Sequence, residues 1–264
     1  MSDTNRKKLI QEYYSARAND YDLQKNRTWK SSRGFGKEVF DEILRGLKNC
    51  QKKLLLEVGV GSGRNVKPVL ERINLYLVGL DLSKEMLRTA KTKLNPHKQS
   101  FDLILGDAEH LPLVDETLDA ILCMSTMHCF TDQERILGNF RQLLKKNGVF
   151  IYGDLSPQES DDEEFLETLE RTISKAHARY YKASEINWLM EKNGFHVNRT
   201  RTIDYRKSYD ALIEDKGIYF GVGIDELQRL TDAATAKAKR QYNLTDTEMT
   251  LSYTVIYATK EKIM

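Results

Sequence analysis

Between residues 53 and 154 short apolar runs alternate with helical patterns, and this alternation constrains the fold more than any other feature of the chain. The apolar runs have the length of strands and cover residues 54–58, 75–81, 101–107, 118–124 and 148–154. Segments 64–73, 84–94 and 133–146 lie between them and carry apolar residues three or four apart, as amphipathic helices do. A strand followed repeatedly by a helix is typical of a parallel sheet with helices on both faces. We therefore predict an α/β fold with a doubly wound sheet.

Local signals predict where two of these helices begin or end. Ser83 precedes segment 84–94 and has a side chain that caps helix N-termini well. Asn147 and Gly148 follow segment 133–146, where a residue of this kind commonly ends a helix. The alternation should therefore hold up to residue 154.

Beyond residue 154 the alternation breaks. Segment 155–180 contains Pro157 and an acidic run and is predicted to be a helical insertion. A helix over 184–192 should lead into a strand over 195–203, and the alternating segment 251–259 should form the last strand. The block 205–247 is predicted to be helical, most clearly over 224–240. Since there is no internal repeat, residues 1–264 are assigned to a single domain.

Charge and cysteine content exclude several classes of partner. Lys and Arg number 41 against 39 Asp and Glu, so the formal charge of +2 gives no field that would attract a polynucleotide. The three cysteines form no disulfide framework and no CxxC pair, which favours the cytoplasm. No signal peptide and no apolar run of about 18 residues is present, so no membrane insertion is expected. Oligomeric state is left open.

A glycine-rich turn follows the first predicted strand, in the stretch KLLLEVGVGSGRNV over residues 53–66. Gly59, Gly61 and Gly63 let the backbone turn sharply and let a ligand touch the main chain. A helix N-terminus just after the turn would favour an anionic group there. The dinucleotide fingerprint needs a glycine where this chain has Arg64, so a nicotinamide-dependent dehydrogenase is disfavoured.

Acidic residues end the next two predicted strands. Asp81 lies 18 residues beyond Gly63, where a carboxylate can accept both hydroxyls of a ribose. Asp107 is placed to accept from an exocyclic amine such as adenine N6, and the backbone N–H of Ala108 can donate to the ring. Because the carboxyl ends of parallel strands share one edge of the sheet, these groups should surround one ligand crevice.

Consecutive motifs in this region resemble those of a known family. They are EVGVGSG at 57–63, DLS at 81–83, GDAEHLP at 106–112 and LKKNGVF at 144–150. Together they resemble the class I S-adenosylmethionine-dependent methyltransferases, in particular the branch that includes the ubiquinone and menaquinone C-methyltransferases. The resemblance implies a Rossmann-like, seven-stranded, mostly parallel sheet whose last strand is antiparallel.

The resemblance extends to the flanking parts of the chain. Segment 14–22 resembles a Y-x3-A-x2-Y-D pattern that often precedes this domain, and 181–195 resembles its late helix and strand. Residues 1–50 are thus expected to form a helical cover over a cofactor-binding core at 53–154. The insertions at 155–180 and 205–247 are expected to shape the acceptor pocket, to which Tyr180, Tyr181, Tyr205 and Tyr209 are candidate contributors.

The resemblance implies S-adenosyl-L-methionine as cofactor, S-adenosyl-L-homocysteine as product, and a set of binding residues. In the family the glycines approach the methionine part, Glu57 stands beneath the turn where Asp is more frequent, and Leu82 packs on adenine. The cofactor-binding residues assigned in this way are Tyr14, Tyr21, Glu57, Gly59, Gly61, Gly63, Asp81, Leu82, Asp107, Ala108 and Ser125. No metal is expected.

Two residue groups near the expected methyl position allow more than one interpretation. His128, in MSTMHCF at 124–130, matches a histidine common in the family and has a reference pKa suited to a base. It is our candidate catalytic base, although a histidine at a strand end is often a structural hydrogen bonder, and Cys129 beside it is expected to pack. Tyr14 and Tyr21, with Trp29 after them, either meet the sulfonium by cation–π attraction or only anchor a helix.

The sequence therefore favours a methyltransferase that acts on a small-molecule acceptor by in-line methyl transfer. A protein acceptor and a non-catalytic S-adenosylmethionine-binding module remain alternatives. Methylation of nucleic-acid bases is disfavoured because no NPPY-like loop follows the fourth strand. A metal-dependent catechol-type site would need acidic residues after the fourth and fifth strands. Asp154 could be one of them, but Ser125 does not supply the other, so this kind of site is disfavoured. Radical chemistry on the same cofactor would need a CxxxCxxC motif, which the sequence lacks.

Overall fold

A seven-stranded sheet organises the chain in a computed structural model that describes residues 3–23, 34–50, 53–97 and 100–260. The strands are β1 Leu54–Val58, β2 Tyr76–Asp81, β3 Phe101–Leu105, β4 Leu118–Met124, β5 Leu144–Ser156, β6 Phe195–Ser208 and β7 Glu248–Lys260. Their order is β3-β2-β1-β4-β5-β7-β6. Strands β1 to β5 pair in parallel, and β7 is antiparallel to both β5 and β6. The predicted sheet and its antiparallel last strand are confirmed.

Helices cover both faces of this sheet. They are α1 Asp3–Arg17, α2 Phe35–Leu47, α3 Lys67–Leu70, α4 Lys84–Leu94, α5 Gln133–Leu143, α6 Phe165–Ile173, α7 Ala183–Lys192, α8 Tyr209–Asp215, α9 Ile224–Asp232 and α10 Ala236–Gln241. The predicted cap of α4 is confirmed, because Ser83 Oγ accepts from the backbone N–H of Met86. None of the helices in the described ranges has both the length and the apolar character needed to cross a membrane.

The predicted helix over 133–146 is too long by one turn. Helix α5 ends at Leu143, and β5 begins at Leu144, which is fully buried and pairs with Leu118 of β4. Asn147, at φ 61°, makes a turn inside this strand instead of capping a helix. Tertiary pairing of a buried leucine thus overrides the local helix-ending signal.

Two other predicted helices are also interrupted. The segment 64–73 contains only the four-residue α3, with turns on either side. The segment 224–240 is divided into α9 and α10, because Thr235 leaves the helix and caps α10 by accepting from the N–H of Ala238. Strand β6 continues to Ser208, so the helical block begins later than predicted.

Each face of the sheet has its own apolar core. On one face α5 and α7 pack Phe140 and Met190 against Phe150 of β5. On the other face α2 contributes Ile43 and Leu47. A third core joins helices α6 and α8 to α10 with the start of β7, so the insertions form a layer of their own beside the carboxyl end of the sheet.

Helix α1 connects the sheet with this layer. On the sheet side its Ser15 Oγ lies 2.9 Å from Ser83 Oγ, and its Gln11 side chain donates to the carbonyl of Leu82 over 3.1 Å. On the insertion side Arg6 donates to the carbonyl of His177 over 2.8 Å, and Tyr13 Oη donates to the carbonyl of Asp215 over 3.0 Å. Helix α1 therefore covers the carboxyl edge of the sheet. Trp29 lies outside the described residues.

Candidate active site

A cavity of about 190 Å³ lies at the carboxyl ends of the central strands, under α1 and beside the insertions. Parallel α/β sheets bind their ligands at this edge. Most of the predicted site residues line it: Tyr14, Tyr21, Gly59, Gly61, Asp81, Leu82, Asp107, Ala108, Ser125 and His128. Glu57 and Gly63 support the turn from behind and are not part of the lining.

The glycine turn needs glycine for both conformation and space. Gly59 has φ 71°, and a Cβ there would lie 2.3 Å from Thr126 Oγ1. Gly61 has φ 53°, also in the left-handed region that residues with a side chain rarely adopt. Its N–H donates to Asp81 Oδ2 over 2.8 Å, which ties the turn to the end of β2. The backbone of the turn thus faces the cavity directly.

Glu57 lies beneath this turn in a fully buried position. Its Oε1 accepts from Asn65 Nδ2 over 3.4 Å, and its Oε2 has no hydrogen-bond partner among the described residues. Burial raises the pKa of this carboxyl well above its ordinary value. Burial thus disfavours a negative charge on Glu57 below the turn.

Asp81 presents both carboxylate oxygens at the end of β2. Oδ1 accepts from the backbone N–H of Ser83 over 2.8 Å, and Oδ2 accepts from Gly61. Burial raises the pKa of this carboxyl, and the backbone donors oppose that shift. A carboxylate oxygen can accept more than one hydrogen bond, so each oxygen retains a lone pair for a ligand hydroxyl.

Asp107 has a partner that sequence reasoning missed. Lys7 of α1 lies 2.8 Å from Asp107 Oδ2 and equally close to Glu109 Oε2. Burial would raise the pKa of Asp107, but the hydrogen-bonded ammonium of Lys7 outweighs it and the pKa is lowered. No local signal indicates this contact, because the two residues are 100 positions apart.

His128 forms a buried pair with Asp154, which lies near the end of the neighbouring strand β5. Its Nδ1 lies 2.9 Å from Asp154 Oδ2, and its backbone N–H donates to the same oxygen over 3.1 Å. Burial alone would lower the pKa of His128, but the Asp154 carboxylate outweighs it and raises this pKa to about 10. The imidazole is therefore mainly protonated at neutral pH. A signal for this pair is present in the sequence, since both residues lie near the ends of adjacent strands.

Charged residues from α1 and the insertions line the inner part of the cavity. Arg17 Nη2 and Lys207 Nζ each lie 2.9 Å from an oxygen of Asp215, and the three side chains are almost completely buried. Lys216 binds Glu170 in the same way. Sequence reasoning missed these residues, because α1 and the insertions have no strand-end position to mark them, and because Lys207, near the end of β6, falls in a block that was predicted to be helical.

The predicted tyrosines are divided between two environments. Tyr180 and Tyr205 line the cavity, whereas Tyr209 packs in the core of the insertions and Tyr181 lies at a separate surface groove. Tyr14 and Tyr21 contact each other edge to face, with ring centroids 6.3 Å apart. Both rings also face the cavity. Their position is therefore compatible with a cation–π contact to the sulfonium and with a role in anchoring a helix.

Comparisons with known proteins agree with this fold. The family pattern described as "Methyltransferase domain" matches residues 56–152. An uncharacterized methyltransferase of Bacillus cytotoxicus is 33% identical over 177 residues, which cover 62% of this chain and 81% of the relative. The phthiotriol/phenolphthiotriol dimycocerosates methyltransferase of Mycobacterium tuberculosis is 32% identical over 107 residues, 40% of this chain and 38% of that protein.

Solved structures share the fold at low sequence identity. The YcgJ protein of Bacillus subtilis superposes with a TM-score of 0.74 at 20% identity and covers 86% of this chain and 99% of its own. Geranyl diphosphate C-methyltransferase of Streptomyces coelicolor was solved with geranyl diphosphate and S-adenosyl-L-homocysteine. It superposes with a TM-score of 0.61 at 11% identity, and the match covers 86% of this chain and 79% of that enzyme. The chain belongs to the class I S-adenosylmethionine-dependent methyltransferases.

Proposed function

We propose that this methyltransferase binds S-adenosyl-L-methionine at the glycine turn and transfers its methyl group to a small molecule held in the inner part of the cavity. The observation that carries this proposal is the buried His128–Asp154 pair, which lies in the same cavity as the turn and faces the insertions. Helix α1 covers the cavity, so a small acceptor fits this enclosure better than a folded protein or a duplex.

The polar groups of the outer cavity support the cofactor assignment. Gly59 and Gly61 would contact the methionine part, Asp81 would accept from the ribose hydroxyls, and Leu82 and Asp107 would contact adenine. The structure of the Streptomyces coelicolor enzyme with S-adenosyl-L-homocysteine shows that this fold accommodates the product. The substrates named for that enzyme and for the Mycobacterium tuberculosis relative are small molecules or lipids, which supports the same class of acceptor here.

The bound cofactor would supply a methyl group that is already activated by the sulfonium. The protein must then chiefly align the acceptor and exclude water, and alignment alone can contribute roughly 7–11 kcal/mol. We propose neutral His128 as the general base. It would take a proton from the acceptor while the acceptor atom forms its bond to the transferred methyl carbon. Asp154 would hold the ring in place and stabilise the resulting imidazolium.

Incubation of the purified protein with methyl-labelled S-adenosyl-L-methionine and a fractionated metabolite extract tests this proposal. We expect label in a fraction of low molecular mass and stoichiometric S-adenosyl-L-homocysteine, with little of either from His128→Gln. Label confined to protein would favour a protein methyltransferase. Tight cofactor binding without transfer to any fraction would favour a non-catalytic binding module.

A further inference from the structure

Two buried polar atoms in the inner wall of the cavity have no hydrogen-bond partner in the described part of the chain. They are Glu170 Oε1 on α6 and His177 Nδ1 just beyond it. Glu170 is completely buried and the His177 side chain is 1% exposed, and both residues line the cavity. Leaving a buried polar atom unpaired is unfavourable, so the two atoms mark a place where a ligand that bonds them would be stabilised.

The other polar atoms of these two side chains already have hydrogen-bond partners. These partners determine whether each unpaired atom can donate or accept a hydrogen bond. Lys216 Nζ donates to Glu170 Oε2. His177 Nε2 lies 3.1 Å from both carboxylate oxygens of Glu167, so in the neutral ring it carries the hydrogen and leaves a lone pair on Nδ1. Burial raises the pKa of Glu170, but neighbouring positive charge, first of all that of Lys216, opposes burial and the pKa is lowered, so the carboxylate is ionised. The unpaired Glu170 Oε1 is therefore an acceptor, and so is His177 Nδ1 when the ring is neutral.

These acceptors belong to the same compartment as the His128–Asp154 pair. The ring centroids of His128 and His177 are 5.8 Å apart, and the Tyr180 ring lies 5.0 Å from the first and 4.4 Å from the second. Lys216 also donates to Tyr180 Oη over 3.1 Å. A ligand placed for proton transfer to His128 would therefore be within reach of this wall.

The charges in this compartment favour a neutral donor over an ammonium group. Lys216 is paired with Glu170, and protonated His128 with Asp154. A further cation here would be repelled by both Lys216 and His128, and both carboxylates already hold a cation. A hydroxyl group satisfies an acceptor without adding charge.

We propose that Glu170 and His177 form a hydroxyl-recognition subsite, so that the methyl acceptor of this enzyme carries at least one hydroxyl that donates to this wall. This inference rests on the proposed function, because it assigns the compartment beside His128 to the acceptor. A site built to bond a hydroxyl rejects the analogue without it by up to about 10⁴–10⁵-fold. The subsite would thus determine specificity.

Glu170→Gln is the most informative variant. Because Lys216 would hold the amide oxygen, the new NH₂ group would face the cavity and convert an acceptor into a donor. The paired change Glu170→Met with Lys216→Met removes the charged acceptor of the subsite and leaves His177, and replacing a buried ion pair by apolar side chains is often neutral for stability. Glu185→Gln serves as control, because Glu185 pairs with Arg179 at the surface.

Binding to the protein saturated with S-adenosyl-L-homocysteine is measured by NMR titration with two matched probe pairs. These are 1,2-dihydroxybenzene with 1,2-dimethoxybenzene, and propane-1,2-diol with its dimethyl ether. We expect the wild type and Glu185→Gln to prefer the hydroxyl probes by at least about tenfold, the energy of one such bond. The preference should fall in both variants: in Glu170→Gln because a hydroxyl and an ether oxygen can both accept from the new NH₂ group, and in the double variant because only the His177 acceptor remains.

Equal affinity for the members of each pair in the wild type, binding of neither hydroxyl probe, or a preference that Glu170→Gln leaves unchanged would each overturn the subsite. Calorimetry with S-adenosyl-L-homocysteine alone separates this failure from that of the proposed function. If the product binds and the hydroxyl preference is absent, only the subsite is refuted. If the product does not bind, the proposed function is refuted first.

Discussion

At the scale of single residues, Asp81 combines a structural role with the ribose-binding role proposed for it. It accepts from the backbone of Gly61 and of Ser83, and in this way joins the glycine turn to the start of α4. The same residue lines the cavity. Its removal should therefore affect binding more than its neighbours' conformation, since the turn is also held by Gly59 and Val60, whose N–H groups donate to the carbonyl of Leu80.

Asp81→Ala should weaken binding of S-adenosyl-L-methionine at least about tenfold. Hydrogen bonds to a charged group contribute about 1.5–3 kcal/mol each, and about 1.4 kcal/mol corresponds to tenfold in affinity. Calorimetric titration measures the effect, and circular dichroism checks that the fold is retained. Asp81→Asn, which keeps one acceptor oxygen, should lose less. Unchanged affinity in Asp81→Ala would refute the ribose assignment.

His128 should give the enzyme an alkaline activity profile. Since the Asp154 carboxylate raises its pKa to about 10, only a small fraction of the imidazole is neutral at pH 7. If neutral His128 is the base, kcat/KM should rise about tenfold per pH unit between about pH 7 and 9 and level off near 10. His128→Gln should show a lower and flatter profile. Identical profiles for the two proteins would exclude His128 as the base.

The same group should make stability depend on pH in the opposite direction. Its folded pKa lies above the reference value of 6.5, so the stabilisation is fully present below pH 6.5 and is lost as the pH rises towards 10. The free energy of unfolding, measured by urea titration, should fall across this window more steeply in the wild type than in His128→Gln. Parallel curves for the two proteins would contradict the raised pKa.

At the scale of elements, the helix caps show where local chemistry sets structure and where pairing overrides it. Helix α4 begins at the predicted Ser83, whereas α5 ends three residues before the predicted 146 because Leu144 joins β5. The N-terminus of α5 follows the local rule: the Asp132 side chain accepts from the backbone N–H of Arg135 over 3.0 Å. An exposed cap of this kind can be tested without disturbing the cavity.

Asp132→Ala should lower the free energy of unfolding by about 1 kcal/mol. The substitution removes the capping acceptor and the favourable charge at the helix N-terminus. Asp132→Ser, which keeps a capping oxygen, should lose only a fraction of this. Urea unfolding monitored by circular dichroism measures both, and a loss of equal size in the two variants would contradict the capping role.

At the scale of the whole molecule, the cavity exists because three parts of the chain meet. The sheet supplies the strand ends, α1 supplies the cover, and the insertions supply the inner wall. The buried ion network of Arg17, Lys207 and Asp215 joins α1 to the insertions. It holds together groups that are up to 198 positions apart in sequence.

Asp215→Ala should be strongly destabilising, by about 3–5 kcal/mol, because it leaves two buried cations without their anion. Lys237→Met breaks the exposed pair with Asp162 and should cost less than about 1 kcal/mol. Comparing the two urea midpoints tests the contrast. Similar small losses in both variants would mean that the buried network does not hold α1 to the insertions.

The sequence by itself determined the core of the sheet, the glycine turn and the residues of the proposed cofactor half of the site. Strand and helix periods are local, and the ends of parallel strands must share one edge, so the amino-acid pattern alone places Gly61, Asp81 and Asp107 together. The resemblance to the methyltransferases added the antiparallel direction of the last strand, which the alternating pattern had already predicted. Segment boundaries were less predictable, because they depended on the pairing of residues such as Leu144.

Only the tertiary structure decided which residues line the proposed acceptor half of the site. Arg17 comes from α1, and Glu170, His177 and Asp215 come from insertions whose local sequence indicates helix and nothing about a ligand. Their roles depend on which charges and unpaired atoms face one another once they are buried. Burial and pairing are properties of the packed chain, and no short stretch of sequence contains them.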